Sequence, residues 1–186
     1  MNRFDFSAFP TISTERLLLR EIVAADASDV LAFRGDAEVQ RYNSEPLTQL
    51  HEALDFINTM HDGFAAKQWI LWGIVLVSEN KVVGSCSVND WNQSHNRAEI
   101  GYDLARAYWG RGIAAEAVRA IIDWTFVNLQ VNRIEAQTIT DNARSVRMLE
   151  RLGFYRDGIR REYSLEDDDL YHGSSIYSLL RREFLP

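Results

Sequence analysis

Hydrophobic positions along the chain change their period several times, and each change marks an element. Residues 14–21, with Leu17, Leu18 and Leu19 flanked by charges, read as a first strand. Asp26 opens a helix carrying Ala27, Val30, Leu31 and Phe33, and a second helix after Pro46 carries Ala53, Leu54, Ile57 and Met60 at helical spacing. Residues 34–45 between them have no clear period and read as a loop, of a length that often serves as a wall of a substrate site. From Trp69 the period becomes that of strands. Residues 70–77, 81–90 and 97–104 are three extended runs joined by short polar stretches, an antiparallel meander. Gly101, inside the third run, is expected to mark a bulge that splays this strand from its neighbour.

The third strand gives way to a helix through Tyr108-Trp109-Gly110-Arg111-Gly112-Ile113-Ala114. That helix, residues 112–128, carries apolar residues at Ala114, Ala117, Val118, Ile121 and Ile122. Another strand follows at 133–140, then a short helix at 142–152 that stops at Gly153 with Phe154 as its apolar seal. A closing hairpin, 159–165 with 171–181, turns around the acidic run 166–169, which reads as a solvated tip or as a collar for cationic substrates. Two glycines one residue apart at a strand-to-helix turn let an anion approach free N–H groups at the positive end of a helix dipole. The turn is either a diphosphate cradle or bare chain geometry. It lacks the Gly-Lys-Ser/Thr of a nucleoside-triphosphate loop and the third glycine of a dinucleotide fingerprint.

Composition narrows the function classes. The 186 residues are enough for a core without disulfides or metal, and 46% apolar with 25% charged residues is ordinary for a soluble protein. A net charge of -7 argues against a nucleic-acid or anionic-membrane surface; it suits cationic partners, or simply solubility. A single cysteine, Cys86, and a start without a long apolar run point to a reducing cytoplasm, with no signal peptide and no membrane span. Cys86 lies in a strand-like stretch and reads as a packing residue rather than a nucleophile. His51, His61, His95 and His172 show no metal-ligand spacing, so no metal is expected.

Five motifs in order carry a family resemblance: Thr14-Glu15-Arg16-Leu17-Leu18-Leu19-Arg20, Ala98-Glu99-Ile100-Gly101-Tyr102, residues 108–117 from Tyr108 to Ala117, Asn142-Ala143-Arg144-Ser145, and Leu149-Glu150-Arg151-Leu152-Gly153-Phe154. Together they resemble the GNAT acyl-CoA N-acetyltransferases, and within them the RimJ/RimL branch. The resemblance implies an α/β fold of the α+β type: a mixed, mostly antiparallel sheet with a splayed parallel strand pair, flanked by helices, the whole chain 1–186 forming one acetyltransferase domain. It implies acetyl-CoA as cosubstrate, its diphosphate on the amides of Gly110, Arg111, Gly112, Ile113 and Ala114, and its pantetheine arm along the backbone of Tyr102, Asp103 and Leu104. Trp109 stands where the wider family has Gln or Arg, a departure common in this branch that leaves the main-chain cradle intact. Asn142 is an N-cap, a role Asp141 could also fill, or a pantetheine contact, or both. A homodimer is expected by analogy alone.

An amine attacking a thioester must be neutral, yet a lysine amine titrates near ~10.4 and an α-amine near ~8. A base is therefore expected on the amine side, together with a donor for the thioester oxygen and a proton for the departing thiolate. Leu149 occupies the position where many GNAT enzymes carry a Tyr acid. The Asn-x-x-Ser pattern of the branch makes Ser145 the replacement; otherwise Ser145 is an ordinary first-turn residue. Glu99 is the candidate base, with Glu162 as runner-up and Gln137 where some relatives have Glu; a surface or salt-bridged Glu99 is the alternative. Trp69, Trp72, Trp91 and Tyr42 read as core or interface residues. The expected activity is acetyl transfer to a primary amine, foremost a protein N-terminal α-amine of the ribosomal-protein type. Small amines (polyamines, amino acids, aminoglycosides) are the alternative acceptors, and a silent CoA-binding module is the alternative class.

Overall fold

A computed structural model describes residues 5–166 and 169–184. Its eight strands form one sheet: β1 (Ile12–Ser13), β2 (Leu17–Arg20), β3 (Ile70–Leu76), β4 (Lys81–Asn92), β5 (Arg97–Leu104), β6 (Arg133–Ile139), β7 (Tyr155–Leu165) and β8 (Tyr171–Leu180), in the order β1-β2-β3-β4-β5-β6-β8-β7. Every neighbouring pair is antiparallel except β5 with β6. The helices are α1 (Ala27–Arg34), α2 (Ala37–Gln40), α3 (Leu50–Ala65), α4 (Ile113–Trp124), α5 (Ala143–Arg151) and α6 (Arg181–Phe184).

Two apolar clusters sandwich the sheet. On one face Ile113, Ala117, Val118, Ile121 and Ile122 of α4 and Leu149 of α5 pack with Trp72, Cys86, Ala98 and Ile100. The buried α4 positions recur at helical spacing, and each fully buried Ile or Val contributes about 1.5–3 kcal/mol. On the other face Val30 and Phe33 of α1 and Ala53 and Ile57 of α3 pack with Ile22, Val75 and Val82. The helix α4 runs on into one wide turn over Thr125–Leu129, so the helical stretch ends where its apolar period suggests, and the Thr125 hydroxyl donates to Ile121 O at 2.6 Å.

The parallel pair is short. Arg97, Ala98 and Glu99 lie beside Arg133, Ile134 and Glu135, and beyond them β5 and β6 diverge. The expected bulge at Gly101 is not what separates them: Gly101 sits in register opposite Ser87, and the β4–β5 irregularity lies between Asn89 and Asn92, where Asp90 has φ of 45°. The strands part because their outer partners differ. One follows β4 as far as the Gly84 to Leu104 pairing, the other follows β8 as far as Ile139 with Ser174. Gly101 instead answers a close approach, since a Cβ there would stand 3.0 Å from the Ser87 hydroxyl.

Residues 34–45 are not all loop. Asp36 caps the single turn α2 by accepting from Glu38 N at 2.9 Å, and four residues are too few for a period to show. Of the acidic run 166–169, Asp167 and Asp168 lie outside the described residues. Among the described residues no helix is long and apolar enough to cross a membrane, and no cluster of His, Cys, Asp or Glu could hold a metal ion.

Candidate active site

Gly110 and Gly112 adopt φ of 74° and 75°, a region that side chains with a Cβ enter at a cost. A Cβ on Gly110 would meet nothing within 4 Å, so the turn faces open space. Gly112 is the N-cap of α4 and offers no side chain to cap it, and the N–H groups of Ile113, Ala114 and Ala115 bond to no other described residue. A diphosphate fits this concavity: donors are free, and the glycines remove the atoms that would fill it.

The first motif explains why the turn holds its shape. Glu116, in the first turn of α4, accepts from the Thr14 hydroxyl at 2.6 Å, from Arg16 N at 3.0 Å and from Arg16 Nε at 2.7 Å. Arg16 Nη1 then donates to the Arg111 carbonyl at 3.0 Å, drawing that oxygen to the outside of the turn. The segment before β2 therefore staples the cradle.

Beside it, the Trp109 indole donates to the Leu104 carbonyl at 2.7 Å, ending β5, and the Arg144 guanidinium lies 4.0 Å from the centre of its ring. Asn142 caps α5, its Oδ1 accepting from Ser145 N at 3.2 Å. Asp141 does not share that role; its carboxylate meets His172 Nδ1 at 2.8 Å. The Asn142 Nδ2 group has no partner among the described residues.

Ser145 Oγ shares a 2.6 Å hydrogen bond with the Tyr102 hydroxyl. Burial pushes that phenol up to about 12, against the opposing pull of the Ser145 bond, so it stays protonated at neutral pH. Leu149 is fully buried in the core and reaches no polar group. The sequence marked Tyr102 only for its backbone. Its side chain was within reach of the same logic: Ala98, Ile100 and Tyr102 alternate onto one face, the face that α5 must cover.

The opposite face of β5 carries Glu99, Gly101 and Asp103. Asp103 is buried; its Oδ1 accepts from Ser85 N at 2.9 Å and Ser85 Oγ at 2.6 Å, and its Oδ2 from Arg34 at 2.9 Å. Burial raises its carboxyl above the ordinary value, while Arg34 and the Ser85 bonds counter it. Glu99 lines a cleft of about 910 Å³ that opens on this face between residues 40–45 and strands β5 to β8. It has no hydrogen-bond or ion-pair partner among the described residues. Burial raises its carboxyl first, and the neighbouring Asp90 and Glu135 add to this against Arg160 and Arg97. Both acidic neighbours are engaged by Arg97, Asp90 at 2.6 Å and Glu135 at 3.6 Å.

Gln137 also lines the cleft and accepts from Arg160 at 3.0 Å, whereas Glu162 is exposed on β7 and stands apart from the lining. Of the aromatic residues read as core, Trp72 is fully buried and Trp69 and Trp91 are half-buried, but Tyr42 lines the cleft. The structure thus gathers the cradle, Asn142, Ser145 and Tyr102 on one side of the diverging strands and Glu99 on the other. Cys86 is buried among apolar neighbours, which pushes its thiol well up and leaves it inert.

The comparisons with known proteins agree with this geometry. A model described as an acetyltransferase (GNAT) domain matches residues 16–155. An uncharacterized N-acetyltransferase of Bacillus licheniformis, p20, is 38% identical over 178 residues, covering 94% of this chain and 98% of that protein. A ribosomal protein uS5 alanine N-acetyltransferase of Escherichia coli is 29% identical over 115 residues, 61% of this chain and 58% of its own length. The solved structure of Mycobacterium smegmatis RimJ in complex with CoA-disulfide has the same fold, with a TM-score of 0.85 at 19% identity over 95% of this chain and 90% of that one.

Proposed function

The chain belongs to the GNAT acetyltransferase family and is an acyltransferase, and from that premise we propose that it moves the acetyl group of acetyl-CoA to the α-amine of a protein N-terminus. The observation that carries the acceptor is the cleft of about 910 Å³ across the strand divergence from the cradle. Its lining mixes five carboxylates (Glu45, Asp90, Glu99, Glu135, Glu166) with three arginines (Arg41, Arg97, Arg160). The excess of carboxylates draws in a cationic amine of either class, and the interspersed arginines suit a peptide end, which brings carbonyl acceptors along with its single amine. The relative acting on the alanine of a ribosomal protein points the same way.

In this reading the free N–H groups of residues 110–114 hold the diphosphate, and the inner edge of Tyr102, Asp103 and Leu104 pairs with the pantetheine arm. Asn142 Nδ2, unengaged by the protein, reaches that arm. Glu99 takes the proton of the entering amine as its nitrogen bonds to the acyl carbon. As the carbon–sulfur bond breaks, the Tyr102–Ser145 pair supplies a proton to the thiolate, in the absence of any acid at Leu149. Solvent then takes the proton from Glu99 and returns one to the Tyr102–Ser145 pair, so that in net one proton leaves the amine and one reaches the sulfur.

The test is free-thiol release from acetyl-CoA with N-terminal alanine and serine peptides, the same peptides with blocked α-amines, and a panel of polyamines, amino acids and aminoglycosides. Turnover confined to unblocked peptides is expected. Preferred turnover on a small amine overturns the acceptor, and acetyl-CoA binding without turnover on any amine overturns the enzymatic reading.

A further inference from the structure

Arg34, the last residue of α1, makes contacts that belong to neither substrate site yet touch elements of both. Its Nη1 donates to Asp103 Oδ2 at 2.9 Å, and Asp103 sits in the part of β5 whose inner edge no strand covers. Its Nη2 donates to the Ser44 hydroxyl at 3.1 Å, and Ser44 belongs to the run 40–45 that walls the cleft. The Ser44 hydroxyl in turn donates to Gln40 Oε1 at 2.9 Å. The guanidinium lies 4.3 Å from the centre of the Phe56 ring on α3, and the Arg34 carbonyl accepts from Leu47 N at 3.0 Å. Gly35 lets the chain turn away here, since a Cβ would come within 2.7 Å of the Leu31 and Leu47 carbonyls.

This is an expensive way to brace a loop. Asp103 is buried and Arg34 half-buried, with side-chain exposures of 5% and 16%, and Arg34 Nε is left without an acceptor. Buried ion pairs add little to stability over apolar packing, so the arrangement is better accounted for by what it connects. One planar fork, with two donors on separate edges, joins the acceptor wall to the donor-facing strand.

We propose that Arg34 is a positioning residue that couples the two substrate sites, so that seating acetyl-CoA along β5 fixes the wall formed by residues 40–45 and thereby the amine. The inference rests on the acceptor reading above for its kinetic arm. Lysine at position 34 keeps the positive charge beside Asp103 but cannot span both partners, so Arg34→Lys cuts the link without stranding a buried carboxylate. Ser44→Ala cuts the same link from the other end.

Two measurements test this. In hydrogen exchange, acetyl-CoA slows the amides of residues 42–45 in the native protein, and in both variants it binds without slowing them. In kinetics, both variants raise the acceptor KM about tenfold with acetyl-CoA affinity held within about twofold, and the double variant is no worse than either single one. A loss of protection in neither variant, absence of protection in the native protein, or additive effects in the double variant overturns the coupling. The exchange arm needs no acceptor, so failure to find a peptide substrate leaves it a complete test.

Discussion

Replacing Glu116 with alanine removes the staple between the segment before β2 and the cradle. The carboxylate accepts from the Thr14 hydroxyl, Arg16 N and Arg16 Nε, at 2.6, 3.0 and 2.7 Å. Hydrogen bonds to a charged acceptor contribute about 1.5 kcal/mol each at the low end of their range. The Arg16 side chain is 43% exposed, so its ion pair is discounted to about 0.5 kcal/mol for solvent screening. Water reaching the vacated donors returns part of that sum, leaving a loss of roughly 2–3 kcal/mol, or about 5–10 °C in Tm for a chain of this size. Arg16, freed from Glu116, no longer holds the Arg111 carbonyl outward, and acetyl-CoA affinity falls about tenfold, equivalent to about 1.4 kcal/mol. Burial pushes the Glu116 carboxyl up, but the bonds from Thr14 and Arg16 outweigh it and hold it below the ordinary 4.5. A lowered folded pKa stabilises at pH above the unfolded value and ceases to as pH falls through the folded one, so the Tm gap between native protein and variant closes in acid. Thermal melts across pH and calorimetric titration with acetyl-CoA measure both effects. A Glu116→Ala protein that melts with the native one at neutral pH and binds acetyl-CoA equally well refutes the staple.

Glu99→Gln removes the acidic limb of the kcat/KM profile; in the native protein that limb lies above the usual glutamate range, because the carboxyl is raised and the base form disappears as pH drops through it. A variant profile with the native shape counts against Glu99 as base. Ser145→Ala and Tyr102→Phe each lower kcat about tenfold to a hundredfold while acetyl-CoA affinity stays near native, and their effects do not add, since they break one hydrogen bond; additive losses would mean separate roles. Gly153→Ala lowers Tm by about 2–8 °C through roughly 1–2 kcal/mol of left-handed backbone strain. A Cβ there has its nearest contact at 3.8 Å and φ is 90°, so an unchanged melt would contradict the strain argument.

Local signals in the sequence were readable where one residue dictates backbone geometry. Gly153 ends α5 because its N–H bonds to Glu150 O at 3.1 Å and Phe154 N to Leu149 O at 3.0 Å, the pattern a glycine followed by an apolar residue announces. The strand Arg97–Leu104 showed its bounds through alternation. The strand divergence was anticipated, but its cause was misplaced on Gly101, because the pairing partners of β5 and β6 are set by chain topology and leave no mark on either strand. Arg34 and Asp103 are 69 residues apart in sequence. Nothing local to either announces their pairing, which chain topology alone brings about.

In the proposed mechanism the acid stands at Tyr102 and not at position 149, and packing around Leu149 accounts for the difference. Leu149 sits on the buried face of α5, fully enclosed, in the same apolar cluster as Phe154. A hydroxyl at such a position would need a partner or pay for its burial, and the surroundings are apolar. The strand on the other side of the pair solves the same problem differently. Tyr102 stands on the β5 face that α5 covers, and Ser145, held by the Asn142 cap, meets its hydroxyl at 2.6 Å. In the proposed mechanism the cap that starts the helix therefore also fixes the donor: Asn142 holds Ser145, and Ser145 holds the Tyr102 hydroxyl.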